Sequence, residues 1–143
     1  MSKKINYIFS SIILSTVLLA NCNDKSCDAK PSYTMAVDSE LTVLMREMFT
    51  YYDGIKGKIE DGTLDEKINV FQEVHKAVAT SPEKSASETY QAMAGMYVQS
   101  ANRLNKRDVD QIKSFNQMVD NCMSCHQQMC PGPMVRIKKL YID

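Results

Sequence analysis

Apolar residues recur at steps of three and four along four stretches of this chain, the period of one face of an α-helix. From Asp38 to Glu60 they are Leu41, Leu44, Met45, Met48, Tyr52, Ile55 and Ile59. Asp38 or Ser39 can cap the start, and Gly54 and Gly57 weaken the last third. "EDGT" at 60–63 is a turn. From Leu64 to Thr80 the stripe is Leu64, Ile68, Phe71, Val74, His75 and Val78, opened by a Thr63/Glu66 capping box and stopped by Pro82. From Ala86 to Leu104 it is Tyr90, Met93, Tyr97, Ala101 and Leu104, behind a Ser85/Glu88 box. From Lys106 to Met129 it is Val109, Ile112, Phe115, Val119, Cys122 and His126. Pro131 and Pro133 end this last helix, and "MVRIKKLYID" reads as an extended tail packed along the rest. Four helices with short connections predict an all-α fold, an antiparallel four-helix bundle spanning 38–130 with a C-terminal extension at 131–143.

The first 21 residues break this pattern. Lys3 and Lys4 precede an apolar run of 16 residues, "INYIFSSIILSTVLLA", the form of an export signal. The run closes with "LLANC", which resembles a bacterial lipobox with Asn21 where a small residue is usual. That resemblance implies lipidation of Cys22, a membrane anchored through lipid, and a periplasmic or cell-surface location. Asn23 is not Asp, so the common inner-membrane retention signal is absent, which favours the outer membrane. The alternative is ordinary cleavage near Ala20. Residues 22–37 read as a polar tether. Loss of residues 1–21 removes two Lys and no acids. The 17 basic residues become 15 against 17 acidic, a net of −2. Such a surface is no footprint for nucleic acid and steers no partner strongly.

The chemistry concentrates in "VDNCMSCHQQMCPGP", residues 119–133. Cys122, Cys125 and His126 form C-x-x-C-H, the pattern of covalent c-type haem attachment, in which two thioethers hold the porphyrin and the histidine binds iron. Five Cys and two His in 143 residues would give this pattern by chance about 0.002 times. A zinc site needs a second ligand pair, and the chain has no second C-x-x-C or H-x-x-H. A thioredoxin-like dithiol expects a βαβ context with the motif at a helix start. Here the motif lies near the end of an amphipathic helix, and Cys122 and His126 share its apolar face. The implied cofactor is one covalent haem c. His75 lies on the second stripe, either as an iron or propionate contact or as a boundary histidine.

A four-helix bundle carrying C-x-x-C-H on its last helix resembles the cytochrome c′ family. Compact cytochromes c carry the motif near the N-terminus instead. The resemblance covers about residues 38–130 and includes "LTVLMREM" at 41–48. In this family a first-helix residue covers the far side of the haem, and the resemblance places Met45 there, with Met48 one turn on as the alternative. A methionine there implies a six-coordinate, low-spin haem suited to electron transfer. An open position implies a five-coordinate haem protein that binds NO or CO. Members are often homodimers through their first two helices. The chain departs from the family at Met129 and Cys130, where many members carry an aromatic and a basic residue.

Cys22 taken by lipid and Cys122 and Cys125 by haem leave Cys27 and Cys130. One precedes the first helix and one follows the fourth, which lie at the same end of an up-down-up-down bundle. An exported protein keeps disulfides, so a Cys27–Cys130 bridge is expected. Two free thiols or an intermolecular bridge are the alternatives. No nucleophile–base constellation stands out. The expected role is therefore a lipid-anchored monohaem electron carrier serving redox partner proteins, and not an enzyme.

Overall fold

The computed structural model describes residues 37–106 and 108–143. The leader, Cys22, Cys27 and all of the tether but Val37 lie outside them. The described residues are helical and contain no strand. Three long helices dominate: α1 (Glu40–Glu60), α3 (Glu88–Leu104) and α4 (Gln111–Met129). Two short ones are α2 (Pro82–Ser85) and α5 (Met134–Ile137).

Each long helix starts on a side-chain cap that accepts a backbone N–H, which satisfies one of the orphan donors of the first turn. Ser39 accepts from Thr42, Ser87 from Tyr90 and Asp110 from Lys113. The cap of α3 is Ser87 rather than the expected Ser85, whose hydroxyl donates to the Pro82 carbonyl. α1 runs unbroken through Gly54 and Gly57. It stops where Gly62 adopts φ 67, the left-handed conformation that glycine takes without a Cβ penalty. Gly62 N–H then reaches Ile59 O and Thr63 N–H reaches Lys58 O, a complete Schellman turn.

That turn explains the main departure from the sequence reading: the helix expected over 64–80 does not form. Thr63 gives both its N–H and its hydroxyl to Lys58 O, and Glu66 pairs with Lys58 Nζ at 2.9 Å. Both members of the expected capping box are thus engaged by the end of α1. The following "KINVFQEV" mixes β-branched residues and Asn, which hold helix poorly. It runs back between α1 and α3 with only a 3₁₀ turn at Gln72–His75.

Side chains from the two flanking helices satisfy this segment's backbone. Phe71 N–H donates to Tyr97 Oη (3.2 Å), Tyr97 and Tyr52 hydroxyls meet at 2.9 Å, and Tyr52 donates to Asn69 O (3.1 Å). Tyr52 has one proton and spends it on Asn69, so Tyr97 donates to Tyr52. The Asn105 amide brackets Ile68 at both N–H and C=O (2.8 and 3.1 Å), and Tyr90 donates to Val74 O (2.8 Å). At the far end Val78 N–H donates to Glu40 and Leu41 N–H to Val78 O. Ile68, Phe71, Val74 and Ala77 are buried at every third position, while Val78, expected on the stripe, is 56% exposed.

α3 and α4 pack as an antiparallel hairpin. The core gathers Tyr52, Tyr97, Phe115, Met118 and Val119 with the segment above. Tyr52 sits edge-on to Phe71, Tyr97 and Phe115. On α4 the buried stripe includes Ser114 and Met118, whereas Ile112, expected inside, is 36% exposed. The tail is not extended as expected: α5 and a 3₁₀ turn at Lys138–Leu140 precede Tyr141. It buries Ile137, Leu140 and Ile142, so residues 131–143 belong to the same compact unit as the helices.

Candidate haem site

Cys122, Cys125 and His126 occupy consecutive turns of α4. At about 100° per residue, Cys122 and His126 each lie about 20° from Phe115 around the helix. Phe115 is 0% exposed, yet Cys122, Cys125 and His126 are half-buried. The inner face of α4 thus continues through the motif while its cover thins.

The same happens on the two facing helices. Met45 lies about 20° from Tyr52 around α1, and Met93 about 40° from Tyr97 around α3. Tyr52 and Tyr97 are buried, and Met45 and Met93 are half-buried. These thinly covered ends coincide. α3 and α4 are antiparallel, so α3 begins where α4 ends. The tail leaving α4 sets Arg136 on the Phe49 ring (4.5 Å to the centroid) and Lys139 O on Lys56 Nζ (3.1 Å). The end of α4 therefore neighbours the first half of α1. Among the described residues, Leu41, Met45, Met93, Cys125, His126 and Met129 are half-buried and lie towards the inner faces at one end of the helical unit.

Two features of this end suit a covalent haem. Half-buried apolar side chains turned inward suit an apolar macrocycle. His126 Nδ1 lies 3.0 Å from the Cys130 carbonyl; a carbonyl only accepts, so Nδ1 carries the donated proton, and in the neutral ring the lone pair is on Nε2. A metal-binding histidine typically has its other ring N–H engaged in this way. Cys122 and Cys125 would supply the thioethers, His126 one iron ligand and Met45 the other. Met48, the alternative, is 6% exposed and locked in the core.

Burial pushes the Cys122 thiol up to about 12, and Cys125 adds to this. Burial also raises Cys125, with Cys130 contributing. A dithiol redox centre needs the opposite, a thiol lowered toward neutrality. Among the described residues no cluster of three His, Cys, Asp or Glu side chains forms a metal site.

His75 stands apart. Its Nδ1 meets Gln91 Oε1 at 2.8 Å, and Gln91 Nε2 donates to the carbonyls of His75 and Ser85. Gln91 lies about 120° from Tyr97 around α3, off the inner face, so His75 ties the irregular segment to the rim of α3. One open surface cleft lies beside Val43, Arg46 and Asn69; a second, lined by Phe49, Asp53, Gly132 and Arg136, opens beside the turn that follows the motif, and neither is lined by Cys122, Cys125 or His126. Cys130 is exposed at the end of α4; its expected partner Cys27 lies outside the described residues. No helix among the described residues is long and apolar enough to cross a membrane. Sequence reasoning missed the Cys130 carbonyl as the partner of His126, although a residue four after a histidine and just before a proline was there to be read. No protein-family model, curated protein or solved structure matches the chain.

Proposed function

We propose that this chain is a monohaem c-type cytochrome that carries electrons, attached by lipid at Cys22 to the outer membrane and serving redox partner proteins. The observation that carries the reading is C-x-x-C-H on the inner face of α4, at the end where the inward side chains of three helices are only half-buried among the described residues. Haem c, when bound, supplies a one-electron couple between ferric and ferrous iron. Cys122 and Cys125 hold the macrocycle against the helix, so it cannot dissociate in either state. His126 and Met45 hold iron from α4 and α1. Thioether ligation favours the reduced form and raises the potential. The half-buried position of Met45 supports it over Met48, which would have to leave the core to reach a ligand.

In this reading the irregular segment tied by tyrosines takes the place of a second helix between α1 and α3. The fold differs there from an antiparallel four-helix bundle. The chain transforms no substrate in this reading. An optical spectrum of the exported protein tests it. A sharp reduced α band, a red sulfur–iron band when oxidised, and indifference to CO are expected. A high-spin spectrum that shifts with CO would replace electron transfer by NO or CO binding at a five-coordinate haem. No haem, from a host able to attach it, would end both.

A further inference from the structure

We propose that Pro131 is a positioning residue for the iron ligand: it turns the Cys130 carbonyl onto His126 Nδ1 and so fixes the imidazole with Nε2 free for iron. The inference rests on the haem reading above. A residue before proline is excluded from the α conformation, because the proline Cδ collides with its backbone and Cβ. Cys130 obeys, at φ −159° and ψ 80°. Its N–H still completes the helix by donating to His126 O (3.0 Å). Its carbonyl, which in a continuing helix would point along the axis to the next turn, instead swings back to His126 Nδ1 (3.0 Å). One residue thus contacts the same histidine twice, through its N–H on the backbone and its C=O on the ring.

The turn is held in place from both sides. Downstream, Met134 N–H returns to Pro131 O, and Ile137 N–H to Pro133 O. The Asn116 side chain then brackets Ile142, donating to its O (2.8 Å) and accepting from its N–H (3.0 Å), and Tyr141 donates to Asp120 (2.6 Å). The buried Ile137, Leu140 and Ile142 anchor what the hydrogen bonds align. The carbonyl therefore stays aimed at the ring. An engaged Nδ1–H makes the imidazole a better donor to metal, and losing such a partner typically costs 10–100-fold in metal affinity or activity.

The test uses the full-length, exported, haem-loaded protein as wild type, Pro131→Ala and Cys130→Ala. Two quantities are read: exchange of the His126 ring N–H by NMR in the reduced state, and the reduction potential. In wild type the ring N–H is expected to exchange slowly. Pro131→Ala lets the helix continue, and should speed that exchange and shift the reduction equilibrium about tenfold toward the reduced form, about 59 mV upward for one electron. Measured under a thiol reductant in all three samples, so that no Cys27–Cys130 bridge distinguishes them, Cys130→Ala keeps both the carbonyl and Pro131 and should move neither readout. A wild-type ring N–H that exchanges like a free imidazole overturns the proposal, whether or not the variant folds. So does an equal shift in Pro131→Ala and Cys130→Ala, which would implicate the thiol. A chain that takes up no haem removes the haem reading itself, and this inference with it.

Discussion

Replacing Tyr97 by Phe tests the least expected part of the fold. The hydroxyl is the middle of a chain running from Phe71 N–H through Tyr97 and Tyr52 to Asn69 O. Without it, Phe71 N–H loses its acceptor in a residue 4% exposed, which costs about 1–3 kcal/mol, and the bond to Tyr52 is worth about 1 more. Tyr52 keeps its own acceptor, so the expected total is about 2–4 kcal/mol. For a domain of this size that lowers the melting temperature by about 10–20 °C. Tyr51→Phe is the contrast. Tyr51 accepts from Asn69 N–H at 2.7 Å, but Asn69 is exposed. Water replaces the hydroxyl there, and the loss should stay within about 0.5 kcal/mol. Urea unfolding followed by circular dichroism, on haem-matched samples, measures both. The double variant Tyr52→Phe/Tyr97→Phe should cost less than the sum of the singles, since both remove the same shared bond. If 64–80 were the helix its periodicity suggests, Phe71 N–H would bond to Lys67 and Tyr97→Phe would be nearly silent. Equal, small costs for Tyr97→Phe and Tyr51→Phe would refute the tyrosine-wired segment.

Other outcomes follow from the same geometry. Met48→Ala should cost about 2–5 kcal/mol by opening the core and leave the visible spectrum unchanged. Met45→Ala should cost less, abolish the sulfur–iron band and admit CO; the reverse pattern would exchange their roles. Ser87→Ala should cost about 1 kcal/mol as the true cap of α3, whereas Ser85→Ala, measured in the same melts, should cost clearly less. Burial, with lesser contributions from neighbours, holds the Tyr90, Tyr97 and Tyr141 hydroxyls up at about 12 against an ordinary 10.0, and raises Tyr52 as well. Between those values the unfolded chain releases phenolic protons that the folded one keeps, so stability is full below about pH 10 and falls as pH climbs toward 12. Ionisation of these four tyrosines, followed by NMR of ring-labelled protein, should therefore appear together with loss of helix; any of the four ionising in intact protein would contradict it.

The three long helices were legible because their apolar stripes are long and end in strong stops. Leu44, Met48, Tyr52, Ile55 and Ile59 are all buried as the period requires. The motif's inward placement followed from the same rule. The stretch 64–80 was not legible, because Ile68, Phe71 and Val74 fit a helical stripe and an every-third-residue pattern equally well. What decided between them was non-local: the acceptors and donors of Tyr52, Tyr97 and Asn105, 17 to 37 residues away. The tail misled for the opposite reason, since the brief alternation of "VRIK" at 135–138 cannot outweigh the local turn that Pro131 and Pro133 initiate. Burial of the tail was visible only in part, as Ile137, Leu140 and Ile142 carry no period of their own.

The tyrosine-wired segment has a consequence for the order of assembly. A helix at 64–80 could form by itself within about a microsecond. Beyond the local bonds of its 3₁₀ turn, this segment depends on partners that α1 and α3 present, and loop closure must be met before those contacts reward it. It is therefore the last part of the core to arrive and the first to leave. On that order the chain is expected to pass through an α3–α4 hairpin in which the face that carries Cys122 and Cys125 is still open from the side, and hydrogen exchange should find 64–80 the least protected part of the core.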